Sequence, residues 1–291
     1  MKTLGYWMLI GLLGLLSVLP YRWVASVGAA LGAALYRLPS HRKHVVLVNL
    51  RLCFPTKTEC ERDELALAHF RHVARSYLER GFQWFGSART IDRLVQIESG
   101  IDLGDPDPPP TIFMGFHFVG IEVGCMRYSM RLPVTALYTR MSNTRLCELA
   151  RRQRGRFGAE MIERSTGARL ALRSLRSGVP VMLAADMDHG ITGSVFAPLF
   201  GVPACTLTSV SRLAKLTGAR VVPFVTEVLP EYRGYKLTIF KPLANYPTND
   251  ELVDACTMNE FLEQQINRIP DQYYWVHRRF KNRPEGVPGV Y

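Results

Sequence analysis

The run Gly115-Phe116-His117-Phe118-Val119-Gly120-Ile121-Glu122 sets a histidine and a carboxylate five positions apart, directly after a short apolar stretch. Histidine is the side chain whose ordinary pKa lies near enough to neutrality to take up and release a proton at physiological pH. If His117 ends a strand and Glu122 lies in the first turns of the next helix, the carboxylate can fold back onto the imidazole. A carboxylate on one ring nitrogen fixes the tautomer and stabilises the imidazolium, which leaves the other nitrogen to take a proton from an alcohol. In that chemistry the acceptor hydroxyl is itself the nucleophile, and no serine or cysteine is needed. The competing reading is a structural histidine beside a helix, because HxxxxE alone is a loose pattern.

Elements that would position this pair are legible on both sides of it. Apolar runs at Thr111–Gly115, Val134–Tyr138, 179–184 and 220–226 read as buried strands, and helical stretches fall between them at 144–156, 168–177 and Ser209–Thr217. That alternation predicts an α/β domain with a mainly parallel sheet. Upstream, Leu65, Ala68, Phe70, Val73, Tyr77 and Leu78 recur at three- and four-residue steps, so 59–84 reads as one helix. Four prolines within 102–110 mark a loop. No repeat or low-complexity linker divides the 291 residues, which predicts one catalytic domain with an appendage.

The appendage is N-terminal. Residues 3–21 carry no charge, and at about 1.5 Å per residue they nearly cross a hydrocarbon core of roughly 30 Å, so a transmembrane helix is expected at 1–22. Arg22, Arg37, Arg42, Lys43 and Arg51 follow it against Lys2 before it, which puts the main domain in the cytoplasm. The rival is a cleaved signal peptide, with small residues at 25–29 for a peptidase. A second apolar stretch at 24–36 is too short to span; residues 23–45 are expected to form an interfacial connection or to pack on the first helix, ahead of a domain at 46–291.

A net charge of +11, from 36 Lys+Arg against 25 Asp+Glu, favours anionic partners, while no zinc-finger spacing, basic zipper or RNA-binding aromatic motif supports nucleic acid. Six cysteines without a CxxC pair read as reduced, mostly buried thiols, and the histidines show no metal-ligand spacing, so no metal is expected.

The motif resembles the Hxxxx(D/E) element of the glycerolipid acyltransferase superfamily, and GFHFVGIEVG in particular resembles that of the lipid A late acyltransferases, the lauroyl- and myristoyltransferase family. The likeness continues in Arg51-Leu52-Cys53-Phe54-Pro55, in Ala185-Asp186-Met187-Asp188-His189-Gly190, in 196–208 (FAPLFGVPACTLT) and in 272–286 (QYYWVHRRFKNRPEG), from the N-terminal helix to the last residues. It implies a single glycerol-3-phosphate acyltransferase-like α/β domain with a mixed, mainly parallel sheet flanked by helices, attached to the cell inner membrane. It also implies an acyl chain passed from acyl carrier protein, with no cofactor, to a hydroxyl of an anionic lipid A precursor, and His117 and Glu122 as the catalytic pair. The alternatives are another lipid acceptor, such as a lysophospholipid, an ornithine lipid or a glycolipid, or a non-catalytic membrane-surface protein that retains the fold.

Where the family commonly has Asp-Gln-Asp, Met187 replaces the amide here, which leaves Asp186 and Asp188 as binding or orienting residues or as an acidic loop that caps a turn. Arg154 and Arg156 resemble the family's arginine-rich segment, and Arg164 a further family arginine; each is a candidate to stabilise an oxyanion or to hold a sugar phosphate. Arg151 and Arg152 read as a solvated face. Trp275, His277, Arg278, Arg279, Lys281 and Arg283 form either a solvated tail or a contact for a headgroup or carrier protein. His277 has no carboxylate at motif spacing and reads as structural.

Overall fold

Among residues 3–291, which the computed structural model describes, six helices precede the first strand: α1 (Thr3–Val18), α2 (Tyr21–Arg37), α3 (His41–Cys53), α4 (Glu59–Leu78), α5 (Arg80–Phe85) and α6 (Ala88–Leu94). Met1 and Lys2, the latter part of the orientation argument above, lie outside the described residues. The chain continues through β1 (Val95–Ser99), β2 (Thr111–Gly115), α7 (Ile121–Ser129), β3 (Val134–Tyr138), α8 (Thr144–Arg154), β4 (Ala159–Glu163), α9 (Gly167–Arg176) and β5 (Val181–Ala184). A hairpin of β6 (Ser194–Leu199) and β7 (Val202–Leu207) is followed by α10 (Ser209–Thr217), β8 (Arg220–Val228), β9 (Tyr235–Ile239) and α11 (Glu251–Arg268).

Seven strands form one sheet in the order β1-β9-β8-β2-β5-β3-β4. The block β8, β2, β5, β3 and β4 is parallel, whereas β9 runs antiparallel to β8 and carries β1 parallel to itself. The mixed, mainly parallel sheet is therefore as expected. Every residue of β2 is buried, as a central strand covered on both faces requires. Because side chains alternate along a strand, Ile112 and Met114 join a core with Ala171 and Leu175 of α9, Ala214 of α10 and Leu262 of α11. Phe113 faces the other way, into a core with Ile91 of α6 and Val123 of α7.

The N-terminal segment departs from the expected span. α1 ends at Val18, and its 16 residues reach only about 24 Å at 1.5 Å each. Pro20 explains the stop, since it has no N–H to donate and disfavours helix in the residue before it. Among the described residues no helix is long and apolar enough to cross a membrane. One side of α1 docks on the domain, with Leu13 buried beside Trp84 of α5 and Ala150 of α8. α2 packs on α4 rather than on α1: a Cβ on Gly32 would meet the Phe70 carbonyl and one on Gly28 would come within 2.7 Å of the Arg75 Cα. The small residues of that stretch thus let two helices approach closely.

The helix expected over 59–84 is two, broken at Glu79, whose buried carboxylate accepts from Arg75 at 2.7 Å and from the Tyr235 hydroxyl. β1, β4, β9, the β6–β7 hairpin and α11 lie in segments to which the periodicity above assigns no element.

Candidate active site

Parallel register decides what meets His117. Gly115 at the end of β2 pairs with Ala184 at the end of β5, so the residues two further along each chain, His117 and Asp186, leave the sheet side by side at its carboxyl edge. That edge is where parallel α/β sheets generally bind their ligands. The Asp186 carboxylate is fully buried and holds His117 twice, accepting the backbone N–H on Oδ2 at 2.9 Å and facing Nδ1 with Oδ1 at 2.7 Å. Burial works against its charge, but the His117 ring and its two hydrogen bonds hold the carboxyl below its ordinary range. A carboxylate can only accept, so Nδ1 carries the proton and Nε2 has a free lone pair. The imidazole is 27% exposed, open enough for a substrate hydroxyl.

The carboxylate on the imidazole is therefore Asp186, where the motif spacing pointed to Glu122. Glu122 sits in the first turn of α7, which lies flat on β8 because glycines face Thr226: a Cβ on Gly120 would come within 2.8 Å of the Thr226 carbonyl. From there Glu122 accepts from Trp84 Nε1 at 2.6 Å and from Arg154 at 2.6 Å. Burial opposes its ionisation, yet the guanidinium of Arg154, with Arg80 behind it, takes its pKa down to about 2. Arg154 remains a quarter exposed. Trp84 and Arg80 have no motif to mark them; helix packing alone brings α5 to this pair.

The other candidates separate. Arg156 donates to the Trp84 and Gly86 carbonyls, which ties the end of α8 to the end of α5 and commits both terminal nitrogens. Arg164 follows β4 at the same carboxyl edge as His117, with its backbone N–H on the Tyr138 carbonyl at 2.9 Å, and burial lowers its pKa. Asp188 is buried and accepts from the Asn282 backbone at 2.9 Å and side chain at 2.5 Å and from Gly190 N at 3.0 Å, a structural role. At Cys125 burial, with Glu122 nearby, pushes the thiol up to about 12. Among the described residues no group of three or more His, Cys, Asp or Glu is placed to hold a metal ion.

The C-terminal segment is not a solvated tail. Trp275 and Arg279 are buried, and Arg279 donates to the Cys205 carbonyl at 2.8 Å and the Thr206 hydroxyl at 3.0 Å. Tyr274 N donates to the His117 carbonyl at 2.8 Å and Val119 N to the Gln272 carbonyl at 2.9 Å, so this strap fixes the motif's backbone. Arg278 and Lys281 stay exposed.

Fold and site together define an α/β enzyme with a buried aspartate behind a histidine whose Nε2 can take a proton from a hydroxyl. The profile of the family described as bacterial lipid A biosynthesis acyltransferase matches residues 1–282. The chain is 35% identical to the lipid A biosynthesis lauroyltransferase of Escherichia coli (strain K12), over 98% of this chain and 94% of that one. It is 32% identical to the lipid A biosynthesis palmitoleoyltransferase of the same organism, again over 98% and 94%. With that organism's myristoyltransferase the identity is 26%, over 97% and 88%. The chain belongs to the bacterial lipid A biosynthesis acyltransferase family, and it is an acyltransferase of lipid A biosynthesis.

The Glu122–Arg154 pair has a pH signature. A carboxyl held near 2 in the folded state against an ordinary 4.5 stabilises the fold above 4.5, and that contribution is lost as the pH falls towards 2. Glu122→Gln should cost on the order of 3 kcal/mol at neutral pH, and the gap to the parent should close on acidification through that window. Urea unfolding across the pH range checks it; a gap that does not change with pH would show that the charge pair is not its source.

Proposed function

We propose that this acyltransferase takes a fatty acyl chain from acyl carrier protein and passes it to the hydroxyl of a hydroxyacyl chain on a phosphorylated glucosamine lipid A precursor, with His117 as general base. The observation that carries the reading is the 2.7 Å contact of His117 Nδ1 with the buried Asp186 carboxylate, which leaves Nε2 as the acceptor. Nε2 removes the hydroxyl proton as the oxygen attacks the thioester carbonyl, and Asp186 stabilises the imidazolium that forms. The C–S bond then breaks, and the proton on His117 passes to the departing thiolate. Glu122 acts on Arg154 instead of on the imidazole, presenting a guanidinium to an anionic group of the substrate, and Arg164 supplies a second cation at the same edge. An acidic carrier protein and a phosphorylated lipid both suit a chain of net charge +11.

The attachment to the inner membrane we assign to one face of α1 and α2 lying in the interface on the cytoplasmic side. Leu4, Trp7, Met8, Leu12 and Leu15 of α1 are exposed, and so are Trp23, Val27, Leu31 and Leu35 of α2, an apolar ladder on the side away from α4. Arg22 and Arg37 lie in the first and last turns of α2, where anionic headgroups would meet them.

In assays with acyl carrier protein thioester and purified precursor, His117→Ala should lower turnover by about 10² to 10⁴-fold. Asp186→Asn should fall in the same range, with the KM for donor little changed, because the amide no longer stabilises the imidazolium. A folded His117→Ala protein that transfers acyl chains at the parent rate would end the base assignment. For the membrane face, Trp23→Glu with Leu31→Glu should weaken partition onto anionic vesicles by roughly tenfold or more, since each removes a large apolar contact, while the melting temperature holds. Unchanged sedimentation with vesicles would move the attachment elsewhere.

A further inference from the structure

Asp186 lies beyond the end of β5, in a segment with no sheet partner of its own, yet it must meet His117 at hydrogen-bonding distance. What fixes that segment lies two residues on. The Asp188 backbone N–H donates to His277 Nε2 at 3.1 Å, while the Asp188 carboxylate is held by the backbone and side chain of Asn282. A backbone N–H can only donate, so Nε2 of His277 is a bare acceptor and its ring proton sits on Nδ1. Burial, partly opposed by the Asp186 carboxylate, pushes the pKa of His277 down to about 4, and the ring is neutral in the working range.

The strap that carries His277 is itself anchored. Asn49 of α3, fully buried, donates to the Trp275 carbonyl at 2.7 Å and to the His277 carbonyl at 2.8 Å, and it accepts from the Tyr291 hydroxyl. The same strap takes the His117 carbonyl through Tyr274 N. One C-terminal segment therefore holds the backbone of the base and the loop of its aspartate in a common frame.

We propose that His277 is a positioning residue for this reaction: as a neutral Nε2 acceptor it latches the Asp186 loop so that the carboxylate stays on His117. This rests on the general-base reading above. The hydrogen bond of His277 is accepted from Asp188 N, and from there a two-residue lever reaches Asp186.

The test exploits the position of the acceptor atom. Glutamine places its amide oxygen near where Nε2 of histidine lies, whereas the shorter asparagine does not reach it. His277→Ala and His277→Asn should lose roughly 10- to 100-fold in kcat with the KM for acyl carrier protein thioester little changed, as expected for a misplaced catalytic group, while His277→Gln stays within about threefold of the parent. All variants are compared by melting temperature, and the glutamine–asparagine contrast holds even if alanine impairs folding. Parent rates in His277→Asn, or equal losses in His277→Asn and His277→Gln, overturn the latch. Loss in Asp186→Asn alongside parent rates in His277→Asn would remove the latch alone, while parent rates in Asp186→Asn would remove the base reading and the latch with it.

Discussion

The registration of β2 against β5 is the constraint on which the rest of the site depends. With Gly115 opposite Ala184, two chains leave the sheet in step, and a histidine and an aspartate two residues past those positions emerge as neighbours. A shift of one residue in either strand would turn one of the two side chains towards the opposite face of the sheet. That register is matched to the packing on both faces: Ile112 and Met114 fit one core, Phe113 fits the other, and a Cβ at Gly115 would come within 2.6 Å of the Phe224 ring. The same buried strand therefore stabilises the domain and aligns His117 with Asp186.

Around this pair the structure gives two carboxylates separate partners. Asp186, buried completely, has its charge answered by the His117 backbone and ring. Glu122, partly buried among α5, α7 and α8, has its charge answered by Arg154 and by the Trp84 indole. Each buried charge keeps its own partner, as the cost of an unpaired one demands. Glycines at 120 and 124 allow the arrangement, since they let α7 lie against Thr226 of β8 and so aim Glu122 away from the imidazole.

Much of this was legible in the sequence, and the gaps have physical causes. Apolar runs that end at Gly115 and Ala184 mark the two strands, and His117 and Asp186 stand out by type just beyond them. Spacing does not supply the strand order that makes β2 and β5 neighbours, and without it the carboxylate nearest in sequence, Glu122, is the natural partner for the histidine. Arg154 and Glu122 are 32 positions apart and meet only because three helices converge, a contact with no local signal. In the N-terminal segment, counting uncharged residues up to Arg22 gave the length of a span, whereas Pro20 divides that length into two helices. Arg156, Asp188 and Arg279 look like substrate ligands by residue type, but backbone and hydroxyl partners that only the folded chain brings together occupy them.

Proton NMR of the chain with ¹⁵N-labelled histidine distinguishes Asp186 from Glu122 as the partner that orients His117. An Nδ1 proton held against a buried carboxylate at 2.7 Å should resonate far downfield. With Asp186 as that partner, the His117 signal vanishes in Asp186→Asn and persists in Glu122→Gln. Persistence in the aspartate variant with loss in the glutamate variant would contradict it.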